Sequence, residues 1–216
     1  MSNLNFYWIL LAFNPLVLMA IWLLVSTKWQ QLNRQSFIWA GKLVVTVDRF
    51  NEILIEIVKW FALAMVLLTA ALVVGRYVFG VGSLKGQEAV IYMHGALFLF
   101  AAGATLLHNG HVRVDVFFSR LNQKQKSIID ILGSFFFLIP MCLTILIVSQ
   151  SFIATSWQVL EGSPEADGLQ LVYLLKTTIP AFAILMLFQG SAQILRGTLQ
   201  LIGQPLPAAK AVTELI

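Results

Sequence analysis

The chain has 216 residues, of which 59% are hydrophobic and only 11% are charged, with a formal net charge of +4. Soluble domains are about half apolar and about a quarter charged. Together with a mean hydropathy of +0.84, this composition excludes a disordered chain, a disulfide scaffold and an ordinary cytosolic enzyme.

Five apolar runs follow one another along the chain and predict membrane-spanning helices. Each approaches or exceeds the roughly 20 residues that carry a helix across a hydrocarbon core about 30 Å thick. A helix is the only open segment that satisfies its own backbone in lipid, and nothing here alternates with the period of a strand. The predicted spans are Phe6–Val25, Ile53–Gly75, Ala89–Leu107, Ile128–Ser149 and Thr177–Leu199.

The first run has two interpretations, a cleaved signal peptide or a retained signal anchor. Residues 1–8 contain no Lys or Arg, and no A-x-A site follows the apolar stretch. The pair Asn14-Pro15 predicts a kink. We favour an uncleaved N-terminal signal-anchor transmembrane helix over residues 1–27.

Residues 28–52 carry an amphipathic pattern before the second run. Its polar positions include Lys42, Arg49 and Glu52, so we expect a helix with a basic face that lies along the membrane surface before turning into the second span. One interpretation is a surface helix with no other role, and the other is an arm that grips a partner subunit through Trp39 and Leu43. The apolar positions, three or four residues apart, are Trp39, Leu43, Val47, Phe50 and Leu54.

Two connections between the later runs are also informative. A second amphipathic piece, containing Val114 and Phe118, bridges the third and fourth runs at the membrane surface. Before the fifth run comes an acidic, turn-rich loop with Glu161, Glu165 and Asp167. These three acids are candidate contacts for an external binding protein, although Gly-Ser-Pro turns are often merely solvated.

Orientation follows from the distribution of Lys and Arg between the spans. Ten basic residues lie on one side and three on the other, which predicts an outside N-terminus and a cytoplasmic C-terminus. The positive charge therefore indicates contact with phospholipid headgroups and no nucleic-acid partner. The ten are Lys28, Arg34, Lys42, Arg49, Arg113, Arg120, Lys124, Lys126, Arg196 and Lys210.

Catalytic chemistry is not indicated, so we predict no enzyme activity and no cofactor in this chain. No P-loop, metal-ligand spacing or nucleophile with His and Asp companions is present in the sequence. His94 and His108 lie on one predicted helix, about 21 Å apart along its axis, and haem ligation needs a second helix. The alternative function that stays open is a membrane-anchor subunit of a redox complex.

Few polar residues lie deep in the predicted spans. Glu56 and Lys59 are three residues apart and are expected to form an interfacial pair that reaches the inner surface. Gln189 and Gln193, four apart, are of the kind that joins helices more often than it binds substrate. A chain with so few polar centres resembles a subunit more than a self-sufficient carrier.

Three motifs occur in a characteristic order. They are R-Y-V-F-G at residues 76–80, followed by Glu88, then G-H-V-R-V-D at 110–115, and I-P at 179–180 with Q-G at 189–190. In order and spacing they resemble the small membrane subunit of TRAP transporters, the tripartite ATP-independent periplasmic carriers (the DctQ-like family), over about residues 45–200.

This resemblance implies a non-catalytic scaffold with four core spans. It implies a large TRAP membrane subunit that binds substrate and the coupling ion, expected to be sodium, and a periplasmic solute-binding protein that docks from outside. The fold expected is all-α and membrane-integral: four core transmembrane helices, one extra N-terminal one, and amphipathic interfacial helices on the cytoplasmic side. The four-helix DctQ-like domain is expected over residues 53–203, with a cytoplasmic tail at 204–216.

Candidate interface or structural residues come from the same motifs. We expect Arg76 to pair with Glu88 across the second and third spans, or simply to reach the outer interface. His111, Arg113 and Asp115 lie where a span meets the inner surface, with a local structural role and a subunit contact both open. A further candidate is Gln189. The chain departs from the family pattern at position 87, where Gln87 precedes the single Glu88 and relatives often carry a pair of acids.

Overall fold

The computed structural model describes residues 18–20, 34–111 and 118–203. The described part is helical and contains no strand, which confirms the all-α prediction. Its elements are α1 (Arg34–Val78), α2 (Leu84–Leu107), α3 (Gln123–Gly133), a π-helical turn (Ser134–Leu138), α4 (Ile139–Gln158) and α5 (Val172–Leu201).

Among the described residues, four stretches are long and apolar enough to cross a membrane, and they confirm the four predicted core spans. They are Trp39–Val78, Leu84–Leu107, Gln123–Gln158 and Val172–Leu201. The predicted first span, Phe6–Val25, lies outside the described residues apart from helical residues 18–20.

The predicted turn between the amphipathic arm and the second span is wrong. α1 continues without a break through 45 residues, from Arg34 to Val78. No Gly or Pro occurs between Lys42 and Val74, so nothing in the sequence interrupts the hydrogen-bond ladder of the helix. At 1.5 Å per residue α1 is about 68 Å long, more than twice the thickness of a hydrocarbon core.

α5 is the centre of the bundle, because it packs against α1, α2, α3 and α4. Its C-terminal half is its most buried part, with Ile194, Leu195 and Leu199 in one apolar cluster. The same cluster takes in Ala40 and Val44 from the N-terminal half of α1. The arm part of α1 is thus held to the bundle by apolar packing against it.

Pro140 lies just after the π-helical turn, inside a helical stretch that runs from Gln123 to Gln158. Proline has no N–H to donate and its ring crowds the preceding turn. In the π-helical turn the Ile139 N–H donates to the Ser134 carbonyl, five residues back. The wider turn lets the helix continue past the proline.

Candidate functional site

Two polar networks hold the bundle together at separate places. The first, here called the arm network, consists of Asp48, Asn51, Gln189 and Arg196. It joins α1 to the C-terminal half of α5. The second, the loop network, consists of Glu88, Ser163, Leu169, Glu161 and Lys176, and it ties the α4–α5 connection to the helices beneath it.

Asp48 is the centre of the arm network. Its carboxylate accepts a hydrogen bond from Arg196 Nη2 through Oδ2, and one of 3.1 Å from Gln189 Nε2 through Oδ1. Asp48 is only 2% exposed and Gln189 only 1%. A buried carboxylate is stable only when it is paired and hydrogen-bonded. The two donors therefore compensate the cost of burying this acid on α1.

Asn51 extends the arm network by one helical turn and brings α2 into it. Its Nδ2 donates to Gln189 Oε1 at 2.8 Å and to the Val47 carbonyl at 3.1 Å. Its Oδ1 has no hydrogen-bond donor among the described residues and lies against Gly103 of α2. A Cβ at position 103 would overlap this amide oxygen, so the close approach of α1 and α2 requires glycine there.

Glu88 organises the loop network from the first turns of α2. Its Oε1 accepts from Ser163 Oγ at 2.5 Å, and its Oε2 accepts from the Leu169 N–H at 2.6 Å. Both donors belong to the loop between α4 and α5. Gly168 is buried beside them, where a Cβ would meet Ser163 and the Glu88 carboxylate. One carboxylate therefore fixes the two ends of a short loop segment.

Glu161 and Lys176 form the second part of the loop network, with Lys176 Nζ 2.5 Å from Glu161 Oε2. Lys176 also lies 3.9 Å over the ring of Phe152, a cation–π contact. The hydrogen bond from Lys176 lowers the pKa of the Glu161 carboxyl, because it favours the charged form. Nearby, Trp157 Nε1 donates a hydrogen bond of 2.9 Å to Thr177 Oγ1, which joins the end of α4 to the start of α5.

The predicted pair of Arg76 and Glu88 is not formed among the described residues. Arg76 is exposed near the end of α1, whereas both oxygens of the Glu88 carboxylate are occupied by Ser163 and Leu169. The loop folds back over the start of α2 and supplies donors that the residue spacing did not show. The acid is therefore used to hold the loop and not to join α1 to α2.

The other candidate residues fall into three groups. Gln189 is buried in the arm network, and Glu161 is paired within the chain. Trp39, Leu43, His111 and Glu165 are exposed, and Asp167 is exposed in an ion pair of 2.9 Å with Lys85. The candidates that lie outside the described residues are Arg113 and Asp115.

Sequence reasoning missed Asp48, Asn51 and Arg196 as interacting residues. A usable signal was present, since Asp48 and Asn51 lie at helical spacing from Val44 and Val58, which are buried in α1. Polar residues on the apolar stripe of a helix indicate a buried partner, and the basic residue counted at the end of the fifth span provides it.

No three His, Cys, Asp or Glu side chains come together as a metal site in the part of the chain that the structure describes. His94 is exposed and stacks on Phe98, and His108 is exposed at the C-terminal end of α2. The polar groups of the arm and loop networks instead make contacts within the chain.

Comparison with protein families identifies which one this is. The family model described as "Tripartite ATP-independent periplasmic transporters, DctQ component" matches residues 65–200, more than half of the chain. The chain therefore belongs to the DctQ family of TRAP transporter subunits, a non-enzymatic family, and other TRAP components are implied as its partners. The comparisons with curated proteins and with solved structures gave no match.

Proposed function

We propose that this subunit is a non-catalytic scaffold that supports the large membrane subunit of a TRAP-type secondary active transporter. The large subunit carries the substrate and coupling-ion sites, with sodium as the coupling ion, and a periplasmic solute-binding protein delivers the substrate. Membership of the DctQ family supplies the tripartite context. The scaffold role is our inference from how the polar residues are used.

One observation carries the proposal, namely that the deeply buried acid of the described spans is paired with residues of its own chain. Asp48 is held by Gln189 and Arg196. Ion-binding and proton-relay residues in membranes are ionisable groups that face an ion pathway or a water-filled cavity. A network in which Arg196 already compensates the charge of the acid stabilises a fixed helix arrangement and leaves no uncompensated carboxylate for a transported ion.

We place the chain in the bacterial inner membrane, with the C-terminus of α5 in the cytoplasm. The support is the distribution of Lys and Arg. These residues are more frequent in the arm and in the segment around the α2–α3 connection than in the segments near the loop network. In this orientation the loop network faces the periplasm. Reporter fusions at residues 111 and 166 test this, with cytoplasmic activity expected only at residue 111.

The loop between α4 and α5 is the part of this surface that we propose contacts the binding protein. Glu161 is engaged with Lys176, so it shapes the loop, whereas Glu165 and Asp167 stay exposed. Exposed acids on a loop held by Glu88 are pre-organised for a basic partner surface. Glu165→Lys is expected to weaken docking of the binding protein without changing the amount of membrane complex.

Reconstitution into liposomes tests the scaffold role. The chain alone, with the binding protein, substrate and a sodium gradient, is expected to give no uptake above empty liposomes. Adding the large membrane subunit is expected to produce uptake. Sodium-driven uptake by this chain alone would contradict the proposal, and uptake by the large subunit at full rate without this chain would show that no scaffold is needed.

A further inference from the structure

An exposed ion pair lies on the apolar part of α1. Lys59 Nζ donates to Glu56 Oε2, one turn apart on the helix. The side chains remain 67% exposed for Glu56 and 50% for Lys59. Their neighbours along this part of α1 are apolar, and many of them are also exposed, including Ile53, Ile57 and Trp60.

Contacts between α1 and α2 show the depth of this pair. Asn51 lies against Gly103, and Leu72 packs over Gly86, where its Cδ2 would be 2.6 Å from an added Cβ. Residues 56 and 59 lie between these two levels, alongside the apolar middle of α2. Lys59 is eight residues beyond Asn51, which is about 12 Å along the helix axis. With α2 taken as a membrane-spanning helix, this level corresponds to the depth of the hydrocarbon.

Glu56 belongs to the face of α1 that points away from α2, and Lys59 lies at the edge of that face. Asn51 and Leu72 contact α2, and the buried Val58 lies on the same stripe, at spacings that are multiples of seven. On the opposite side, spacings of four and three residues alternate, which is the spacing of a second helix–helix contact. This side, here called the back face, consists of Glu56, Trp60, Leu63, Leu67, Ala70 and Val74.

The back face has no partner among the described residues. In the most apolar 18-residue segment of α1, only 6% of the residues are buried. The corresponding share is 22% in the Gln123–Gln158 stretch and in α5. An exposed helix face that is purely apolar needs no protein partner, because lipid tails cover it. Charged side chains at hydrocarbon depth are different, because they are costly there and normally face protein or water.

We propose that the back face of α1 is the surface that binds a transmembrane helix of the large membrane subunit, and that Glu56 and Lys59 contact polar groups on that helix. This inference rests on the proposed function, because a TRAP assembly supplies a second membrane component. Helices associate in lipid through close packing and interhelical polar contacts. Trp60 and Leu67 would provide the close packing, and the charged pair would provide the polar contacts.

Site-specific photo-crosslinking tests the surface. A photoreactive residue replaces Leu67 on the back face or, as the control, Val148 on α4, which is also strongly exposed. Each variant is co-expressed with the tagged large subunit. We expect an adduct with the mass of this chain plus the large subunit from position 67 and none from position 148.

Other outcomes each overturn the proposal and identify the occupant. An adduct of twice the mass of this chain shows a second copy, an internal adduct shows another segment of the same chain, and lipid adducts alone show a free face. Recovery of this chain with the tagged large subunit is measured in parallel. If recovery is normal but position 67 gives no joint adduct, the surface is wrong and the proposed function stands. If recovery fails for the unmodified chain, both are wrong.

Charge variants test the role of the ion pair. Replacing Glu56→Gln and Lys59→Gln together is expected to lower recovery of the large subunit about fivefold, the scale of polar contacts between membrane helices. The thermal midpoint of the isolated chain is expected to stay unchanged, because both side chains are exposed there. Lys85→Gln, which removes an exposed lysine near the loop network, is the control. Unchanged recovery in the double variant would show that the pair only reaches toward the lipid headgroups.

Discussion

The arm network and the loop network use similar residues for different purposes. In the arm network, Asp48 is almost fully buried and its partners Gln189 and Arg196 are more than 140 residues away in sequence. In the loop network, Glu88 and Glu161 are only partly buried, and one of the donors is a backbone N–H. An acid held by side chains sets the position of one helix on another, while an acid that accepts from backbone sets the shape of a loop.

The difference in burial predicts a difference in energy. Removing one member of a buried, hydrogen-bonded charge pair leaves the other uncompensated, whereas the same change in a half-exposed pair is relieved by water. The largest effects are therefore expected in the arm network.

Asp48→Ala provides the strongest test of this comparison. We expect the free energy of unfolding to fall by about 2–4 kcal/mol, because Arg196 and Gln189 lose their acceptor in a buried site. Arg49→Ala is the matched control, since Arg49 is the next residue and is exposed. A thermal or denaturant unfolding series in detergent measures both. Equal effects of the two variants would contradict the buried pairing.

Glu88→Ala is expected to lower stability less, by about 1–3 kcal/mol, because it removes the acceptor for Ser163 and for the Leu169 N–H. The effect should be local. Limited proteolysis between residues 159 and 171 is expected to become faster while the helices stay protected. Gln87→Ala, at the exposed neighbouring position, should leave the cleavage rate unchanged. Protection of the loop in Glu88→Ala would show that the loop does not depend on this carboxylate.

Gly103→Ala tests whether close contact between α1 and α2 depends on the arm network. The added methyl group overlaps Asn51 Oδ1, so we expect the free energy of unfolding to fall by about 1–2 kcal/mol. Gly133→Ala is the control, because nothing lies within 4 Å of its added Cβ, and it should be neutral or slightly stabilising. In an Asn51→Ala background the penalty at position 103 should shrink. A penalty of the same size in both backgrounds would point to a different cause.

The pH dependence of the loop is expected to be the smallest effect. Pairing with Lys176 lowers the pKa of Glu161, so the folded loop favours the charged form. This contribution is fully present above the ordinary pKa of a glutamate and is lost as the pH falls through the lowered value. The protection factor of the Tyr173 amide against hydrogen exchange should therefore fall on acidification, because this amide donates to the Glu161 carbonyl. Glu161→Gln should remove this pH dependence. An unchanged profile in that variant would assign it to another group.

The sequence predicted the four core spans because hydrocarbon thickness sets their length directly. It did not predict that α1 is continuous, since a change from amphipathic to fully apolar composition resembles a boundary even where no helix-breaking residue occurs. Residues 40–58 show the consequence. Their buried positions, from Ala40 through Asp48 to Val58, follow one helical stripe across the expected boundary.

The polar networks were harder to predict, because their partners are distant in sequence. Arg196 contributed to the count that indicated orientation, yet nothing in its own segment showed that Asp48 would reach it. From the sequence, Glu88 is expected to pair with Arg76, its nearest basic residue in an adjoining span. The loop donors that replaced Arg76 are a hydroxyl and a backbone N–H, and neither is visible as a charge pattern.

The central claim is that the buried polar residues of this subunit hold helices in place and do not handle the transported ion. The most direct measurement is solute uptake by the complete transporter carrying Gln189→Ala, expressed per amount of assembled complex and recorded as a function of sodium concentration. We predict less assembled complex, with unchanged uptake per complex and an unchanged sodium dependence. Normal assembly with a shifted sodium dependence would contradict the account.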